Sequence, residues 1–259
     1  MSLLAITGGA GRIGTELRPL LREHYQLRLL DLREPPTSPT DGEEFQQLDM
    51  ADLGATERAF AGVDAVLHLA GQPNTRAPWS SVLKDNIEAT RSVYEAARRQ
   101  SVRRVVFAST NHVVGFYNLE RDWPIDTRVA VRPDSLYGVS KAFGEALARY
   151  YTDAFDLSII CLRIGWFTNR PPSVPMLNPL WISTRDMAQI VELCLQTSRR
   201  FGIYNATSNN PHRHWDLQSA RDELGYEPRD DVTTVATDTD AMAYVEPQAG
   251  VLADMDSSP

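Results

Sequence analysis

From residue 3 to about residue 225, short apolar runs alternate with stretches whose apolar residues recur every three or four positions. The runs predict strands at Leu3–Ile6, Leu27–Asp31, Phe45–Asp49, Ala65–Leu69, Val105–Ala108, Ser158–Arg163 and Gly202–Asn205. The periodic stretches predict helices over Arg12–Glu23, Thr56–Ala61, Val82–Gln100, Tyr137–Phe155 and Arg185–Arg199. In the helix that begins at Val82, apolar or small side chains at Val82, Leu83, Asn86, Ala89, Val93 and Ala97 share one face. This alternation is the pattern of βαβ units around a parallel sheet. There is no internal repeat and no coiled-coil heptad.

Two segments break the pattern. Asn118–Pro133 is polar with two prolines, and Thr168–Pro179 holds Pro171, Pro172, Pro175 and Pro179. Both follow predicted strands at the carboxyl edge, where open α/β sheets bind ligands, so both are candidate substrate loops.

Composition adds three constraints. At 259 residues and 42% hydrophobic, the chain can bury a full core in one α/β domain with an appendage. Cys161 and Cys194 lie inside apolar runs and read as buried thiols. With no apolar run long enough to span a membrane and no leader pattern after Met1-Ser2, they suggest a soluble cytoplasmic protein. The net charge of -8 is concentrated: beyond Arg229 there are seven acidic residues, from Asp230 to Asp256, and no Lys or Arg. Residues 230–259 therefore read as an acidic, loosely ordered tail. The remainder is nearly neutral and offers no basic patch for nucleic acid.

The first chemical motif is AITGGAGRIG, which places Gly8, Gly11 and Gly14 between the first strand and the first helix. Glycines there permit a tight turn and close backbone approach to a pyrophosphate, and the helix N-terminus at Arg12 and Ile13 presents N–H donors. An acidic residue, Asp31, ends the second strand, where a carboxylate accepts from ribose hydroxyls and repels a 2′-phosphate. The expected fold is thus a Rossmann-type doubly wound parallel sheet and the expected cofactor NAD, although Arg33 offers a guanidinium that a phosphate would also take. Asp49 and Met50 are candidates for the adenine, and Leu69, Ala70, Gly71 and Asn86 for the nicotinamide end. His68 reads as a packed, hydrogen-bonded residue. The domain reading is a cofactor domain over 1–165, then substrate loops and closing elements over 166–229 interleaved with the last strand.

The second motif is Tyr137-x-x-x-Lys141 at the start of a helix, which sets a phenol and an ammonium one turn apart on one face. An ammonium nearby favours the phenolate, the form that accepts a proton. The strand VVFAST ends in Ser109 and Thr110, followed by Asn111 and His112. At the sheet's carboxyl edge these side chains suit a substrate oxygen and sugar-like hydroxyls. No H-x-x-x-H or C-x-x-C cluster suggests a metal.

Taken together, Thr7-Gly8-x-x-Gly11-x-x-Gly14, Ser109-Thr110 and Tyr137-x-x-x-Lys141 resemble the extended short-chain dehydrogenase/reductase superfamily over about residues 3–225. The segments FASTNHVVG, LYGVSKAFGE, LRIG and WISTRD resemble in particular the uronate dehydrogenases and the archaeal NAD-dependent glucose-6-phosphate dehydrogenases. The resemblance implies that Tyr137 is the general base, that Lys141 binds the nicotinamide ribose and lowers the tyrosine pKa, and that Thr110 is the catalytic hydroxyl. Asn111 and His112 would contact the sugar. The reaction implied is oxidation of C1 of a cyclic sugar to a lactone, with a uronate first and an aldose or sugar phosphate next.

The chain departs from that pattern at the sugar. Pro175 stands where the uronate enzymes carry a carboxylate-clasping arginine, which leaves Arg170 as the candidate replacement, and Gln72-Pro73-Asn74 replaces an expected serine, making Gln72 and Asn74 candidate contacts. The alternatives are a nucleotide-sugar epimerase or dehydratase that retains its NAD, and a non-catalytic NAD sensor. The superfamily commonly pairs subunits through the helices near Val82 and Tyr137, so Tyr94, Phe143, Leu147 and Tyr150 are candidate contacts in a homo-oligomer.

Overall fold

The computed structural model describes residues 1–235. Seven parallel strands form one sheet in the order β3-β2-β1-β4-β5-β6-β9. They are β1 (Leu3–Thr7), β2 (Gln26–Asp31), β3 (Glu43–Gln47), β4 (Ala65–His68), β5 (Arg104–Thr110), β6 (Ser158–Ile164) and β9 (Phe201–Ala206). The strand order reverses between β1 and β4, which makes their carboxyl edge the switch point of a doubly wound fold.

Alternation along the strands divides the core in two. Leu4, Ile6, Val106, Ile160 and Leu162 face α1 (Arg12–Leu21), α7 (Thr184–Gln196) and α8 (Gln218–Leu224). Ala5, Val66, Val105, Phe107 and Ile159 face the opposite layer, built from α2 (Leu53–Ala59), α4 (Ala89–Arg99) and α6 (Leu136–Phe155). Both layers are buried, which is why β4, β5 and β6 read as continuous apolar runs.

Every predicted strand and helix is present, with shifts that have local causes. The third strand ends at Gln47, so Asp49 lies beyond it; this edge strand is short with four polar residues of five, and its hydrophobic pattern marks its limits weakly. Helix α2 starts earlier than the apolar periodicity because Asp52 caps it, accepting from Ala55 N at 2.9 Å. The long helix predicted from Val82 is three pieces: α3 (Trp79–Val82), a π-helical turn over Leu83–Glu88, and α4.

The two interrupting segments carry structure of their own. A 3₁₀ turn over Asn111–Val114 leads into α5 (Gly115–Leu119), and Ile125 makes a bridge to Trp215. The proline-rich segment is held between β7 (Trp166–Phe167) and β8 (Trp181–Ile182), a separate parallel pair. Val113, Val114, Ile125, Trp166, Leu180, Trp181 and Trp215 form a third apolar cluster above the sheet edge.

The tail boundary is corrected in part. Asp230 accepts from Ser183 Oγ at 2.6 Å and pairs with Arg185, and its backbone N–H donates to Asp186. It belongs to the body, because the N-terminus of α7 gives its charge a partner. The acidic stretch from residue 236 onward lies outside the described residues. Among the described residues no helix is long and apolar enough to cross a membrane.

Candidate active site

A cavity of about 740 Å³ opens along the carboxyl edge of the sheet. Gly8, Gly11, Arg12, Ile13, Gly14, Asp31, Asp49, Met50, Leu69, Ala70 and Gly71 line one part of it, and Gln72, Thr110, Asn111, His112, Tyr137 and Lys141 line the other. Residues from six different segments therefore converge on one cleft.

The loop after β1 is shaped by Gly8. Its φ of +70° is costly for other residues, and a Cβ there would meet Ala70 N at 2.7 Å. Gly11 precedes α1 without any side-chain cap, so the first-turn N–H donors of this helix are not taken up by a capping side chain. Asp31 is aimed by backbone donors, Ala10 N at 3.0 Å and Arg33 N at 3.1 Å. Beneath the loop, His68 is fully buried between Thr7 Oγ1 (2.7 Å) and Thr90 Oγ1 (3.2 Å). Burial, with the nearby Lys141 charge, holds its pKa down to about 3. His68 is thus a neutral structural residue that ties β1, β4 and α4 together below the cleft.

The π-helical turn serves both ends of the cleft. Lys84, one of the chain's two lysines, reaches Asp49 Oδ2 at 2.7 Å, and this hydrogen bond lowers the Asp49 pKa. Two positions on, Asn86 Oδ1 accepts from Gln72 N at 2.6 Å while its amide donates to Ser140 Oγ at 2.8 Å. Asn86 is 1% exposed and does not line the cavity. Its side chain holds the Gly71-Gln72 loop against α6.

At the other end, α6 begins with Ser135 as its cap, accepting from Gly138 N at 3.1 Å. This start places Tyr137 and Lys141 one turn apart at the cavity wall. Lys141 is 4% exposed. Its Nζ lies 4.8 Å from the centre of the Phe107 ring and 5.8 Å from that of Tyr137. Desolvation lowers its pKa to about 8, and the aromatic faces offset part of the cost of burying the charge. Thr110 Oγ1 donates to Asn111 Oδ1 at 3.1 Å and accepts from His112 N at 3.3 Å.

Ser109 lines the cavity beside Thr110, and its hydroxyl donates to Glu145 Oε1 at 2.6 Å. Arg163 completes that buried group with two hydrogen bonds to Glu145. Two expected contacts are not brought to the cavity wall. Arg170 is exposed and absent from the cavity wall, and its backbone carbonyl accepts from Thr168 Oγ1. Asn74 is exposed, and its side chain caps its own turn by accepting from Arg76 N. Tyr94, a candidate subunit contact, is fully buried in its own core.

Sequence reasoning missed Gly165, Trp166 and Phe167, which line the cavity after β6; the rule that ligands sit at strand carboxyl ends would have found them. It also missed Asp134, which accepts from His112 Nδ1 at 2.9 Å. A lone acid before a helix cap carries no sequence signal of that pairing.

Residues 4–168 match the NAD dependent epimerase/dehydratase family. The chain is 37% identical to the NAD-dependent glucose-6-phosphate dehydrogenase of Haloferax volcanii, covering 87% of this chain and 92% of that protein. It is 38% identical to the uronate dehydrogenase of Pseudomonas syringae pv. tomato, covering 92% and 86%. In structure it superposes on a tyrosine variant of the uronate dehydrogenase from Agrobacterium tumefaciens complexed with NAD, with a TM-score of 0.83, 33% identity, and 100% and 91% of the two chains covered. With the glycine turn, the acid-ended second strand and the Tyr137–Lys141 pair all at one cleft, the chain belongs to the NAD dependent epimerase/dehydratase family.

Proposed function

We propose that this protein is an NAD-dependent sugar dehydrogenase that oxidises C1 of a cyclic sugar to a lactone. The observation that carries the reading is the placement of Tyr137, Lys141 and Thr110 on one wall of the same cleft that the glycine loop and Asp31 line. Bound NAD supplies the hydride acceptor. The Gly8 turn, the N-terminus of α1 and the Asp31 carboxylate suit its pyrophosphate and ribose.

Tyr137 takes the proton of the C1 hydroxyl as the hydride leaves C1, so the carbon loses two electrons and one proton and becomes the lactone carbonyl. Thr110 holds the reacting oxygen by a hydrogen bond. Lys141 holds the ribose hydroxyls while its positive charge favours the phenolate. Asn111, His112 and Gln72 offer donors and acceptors to the remaining hydroxyls, and Trp166 and Phe167 offer apolar faces.

The relatives' substrates give the order of trial: a uronate, a sugar phosphate, then a neutral aldose. Because Arg170 does not line the cavity, a uronate carboxylate has no arginine from the proline-rich segment to clasp it. A panel of D-glucuronate, D-galacturonate, D-glucose 6-phosphate, D-glucose and L-arabinose with NAD and NADP tests the reading. NADH formed with at least one sugar supports it, whereas conversion of a nucleotide sugar without added NAD favours an epimerase.

Two coarser features complete the reading. Leu136, Val139 and Tyr150 leave 44%, 41% and 57% of their surface exposed along α6, and with Phe143 and Leu147 they form a stripe suited to a second copy of the chain; a monomeric mass by light scattering contradicts this. Both cysteines are buried free thiols, which suits a reducing cytoplasm.

A further inference from the structure

The His112 imidazole is held on one side by a carboxylate that the proposed chemistry does not otherwise use. Its Nδ1 lies 2.9 Å from both oxygens of Asp134, and each side chain is only 13% exposed. The carboxylate is itself fixed. Ser135 Oγ donates to Asp134 Oδ1 at 3.0 Å, and Asp134 N donates to His112 O at 3.3 Å.

Two glycines make room for this pair. A side chain at Gly115 would overlap the Asp134 carboxylate, and a Cβ at Gly138 would lie 2.5 Å from the His112 carbonyl oxygen. Gly138 sits in the first turn of α6, one residue after Tyr137, so the packing that seats the pair also sets the start of that helix. The His112 and Tyr137 rings meet edge-on, with centroids 5.8 Å apart.

We infer that Asp134 is a positioning residue for sugar recognition: it fixes His112 in the Nδ1–H form, so that Nε2 faces the cavity as an acceptor for a sugar hydroxyl. An ionised carboxylate only accepts, so the proton on the facing nitrogen must belong to the ring. In its neutral form the ring then has one lone pair left, on Nε2, and His112 lines the cavity. A sugar hydroxyl that donates there orients its ring against Tyr137 and Thr110, and an analogue lacking that hydroxyl leaves a buried acceptor unpaired. Without Asp134, the imidazole is free to rotate or to change tautomer, and the same nitrogen then presents a donor half of the time or points elsewhere.

The inference rests on the dehydrogenase reading, and a double-mutant cycle separates the two. The substrate is whichever of D-glucuronate, D-glucose 6-phosphate and L-arabinose the wild type oxidises fastest. His112→Ala and Asp134→Ala are each expected to lower kcat/KM for that sugar by about tenfold or more. The double variant is expected to be no worse than His112→Ala, because Asp134 acts only through the ring. The dissociation constant for NAD is expected to stay within about twofold of wild type in all three. Asp134→Asn, which keeps the volume and removes the charge, takes the same place in the cycle should Asp134→Ala fail to fold. Penalties that multiply in the double variant, or NAD affinity that falls in step with sugar turnover, overturn the assignment while leaving the dehydrogenase reading intact. A wild type that oxidises none of the sugars overturns both.

Discussion

Ser109 donates to Glu145 Oε1 across 2.6 Å, and this bond fastens the strand that delivers Thr110 to the helix that delivers Lys141. Glu145 is one turn beyond Lys141 on α6, and Arg163 on β6 closes the group from the next strand. The side chains are almost wholly buried, with the ion pair at 2% and 4% exposure. Ser109→Ala is therefore expected to cost about 1 kcal/mol of stability and to leave the sugar KM unchanged. Thr110→Ala should instead lower kcat/KM by a factor on the order of a hundred. Glu145→Gln strands a buried guanidinium and should cost about 3–5 kcal/mol. Denaturant melts and steady-state kinetics on the three variants check this; a raised sugar KM in Ser109→Ala would return that hydroxyl to the substrate.

Buried His68 makes an acid limb in the stability curve. Its pKa lies near 3 in the folded protein against an ordinary 6.5, so between those values the unfolded chain binds a proton that the native state refuses. The stability this neutral ring contributes is fully present above pH about 6.5 and is lost as pH falls toward 3. Urea midpoints measured across that window should fall more steeply for wild type than for His68→Asn. Equal slopes would show that His68 is not the group responsible.

Lys141 titrates with the same sign in a higher pH window. Desolvation brings its pKa from 10.5 to about 8, so in the free protein the ammonium is present below pH about 8 and is lost above it. Its burial penalises folding fully below pH about 8, and stability from this group rises as pH climbs from 8 toward 10.5. The cofactor ribose needs the charged donor, so NAD affinity measured by titration calorimetry is expected to weaken as pH rises through about 8. Lys141→Met should bind NAD weakly with no such inflection. A wild-type affinity that is flat from pH 7 to pH 9 would contradict the assignment of the ribose to Lys141.

Asp31 and Arg33 set the cofactor preference against each other. Backbone N–H donors from Ala10 and Arg33 aim the Asp31 carboxylate at the cleft, where it repels a 2′-phosphate. Asp31→Ser removes that repulsion and leaves Arg33 on the cavity wall. The ratio of kcat/KM for NADP to that for NAD is expected to rise at least about tenfold, a gain of about 1.4 kcal/mol. An unchanged ratio would place the selectivity elsewhere.

The architecture was legible because strands buried on both faces, such as Val105–Phe107 and Ile159–Leu162, leave unbroken apolar runs, and because Gly8 and Asp31 answer to backbone geometry. The sugar end was less so. Ser109 and Thr110 look alike in sequence, and only the fold shows that Glu145 takes up the Ser109 hydroxyl. Arg170 had the right charge, but nothing in a proline-rich segment says which way it turns. Asp134 and His112 are 22 positions apart, and Asn86 depends on a π-helical turn that the helical periodicity of its neighbours conceals.

Tyr137 removes the proton as C1 is oxidised, and the Tyr137→Phe variant isolates that step. With the best sugar of the panel and saturating NAD, the variant should form NADH at least about a hundredfold more slowly than wild type, while NAD binds it with an unchanged dissociation constant. Turnover within a few fold of wild type, with NAD still bound, would contradict the claim.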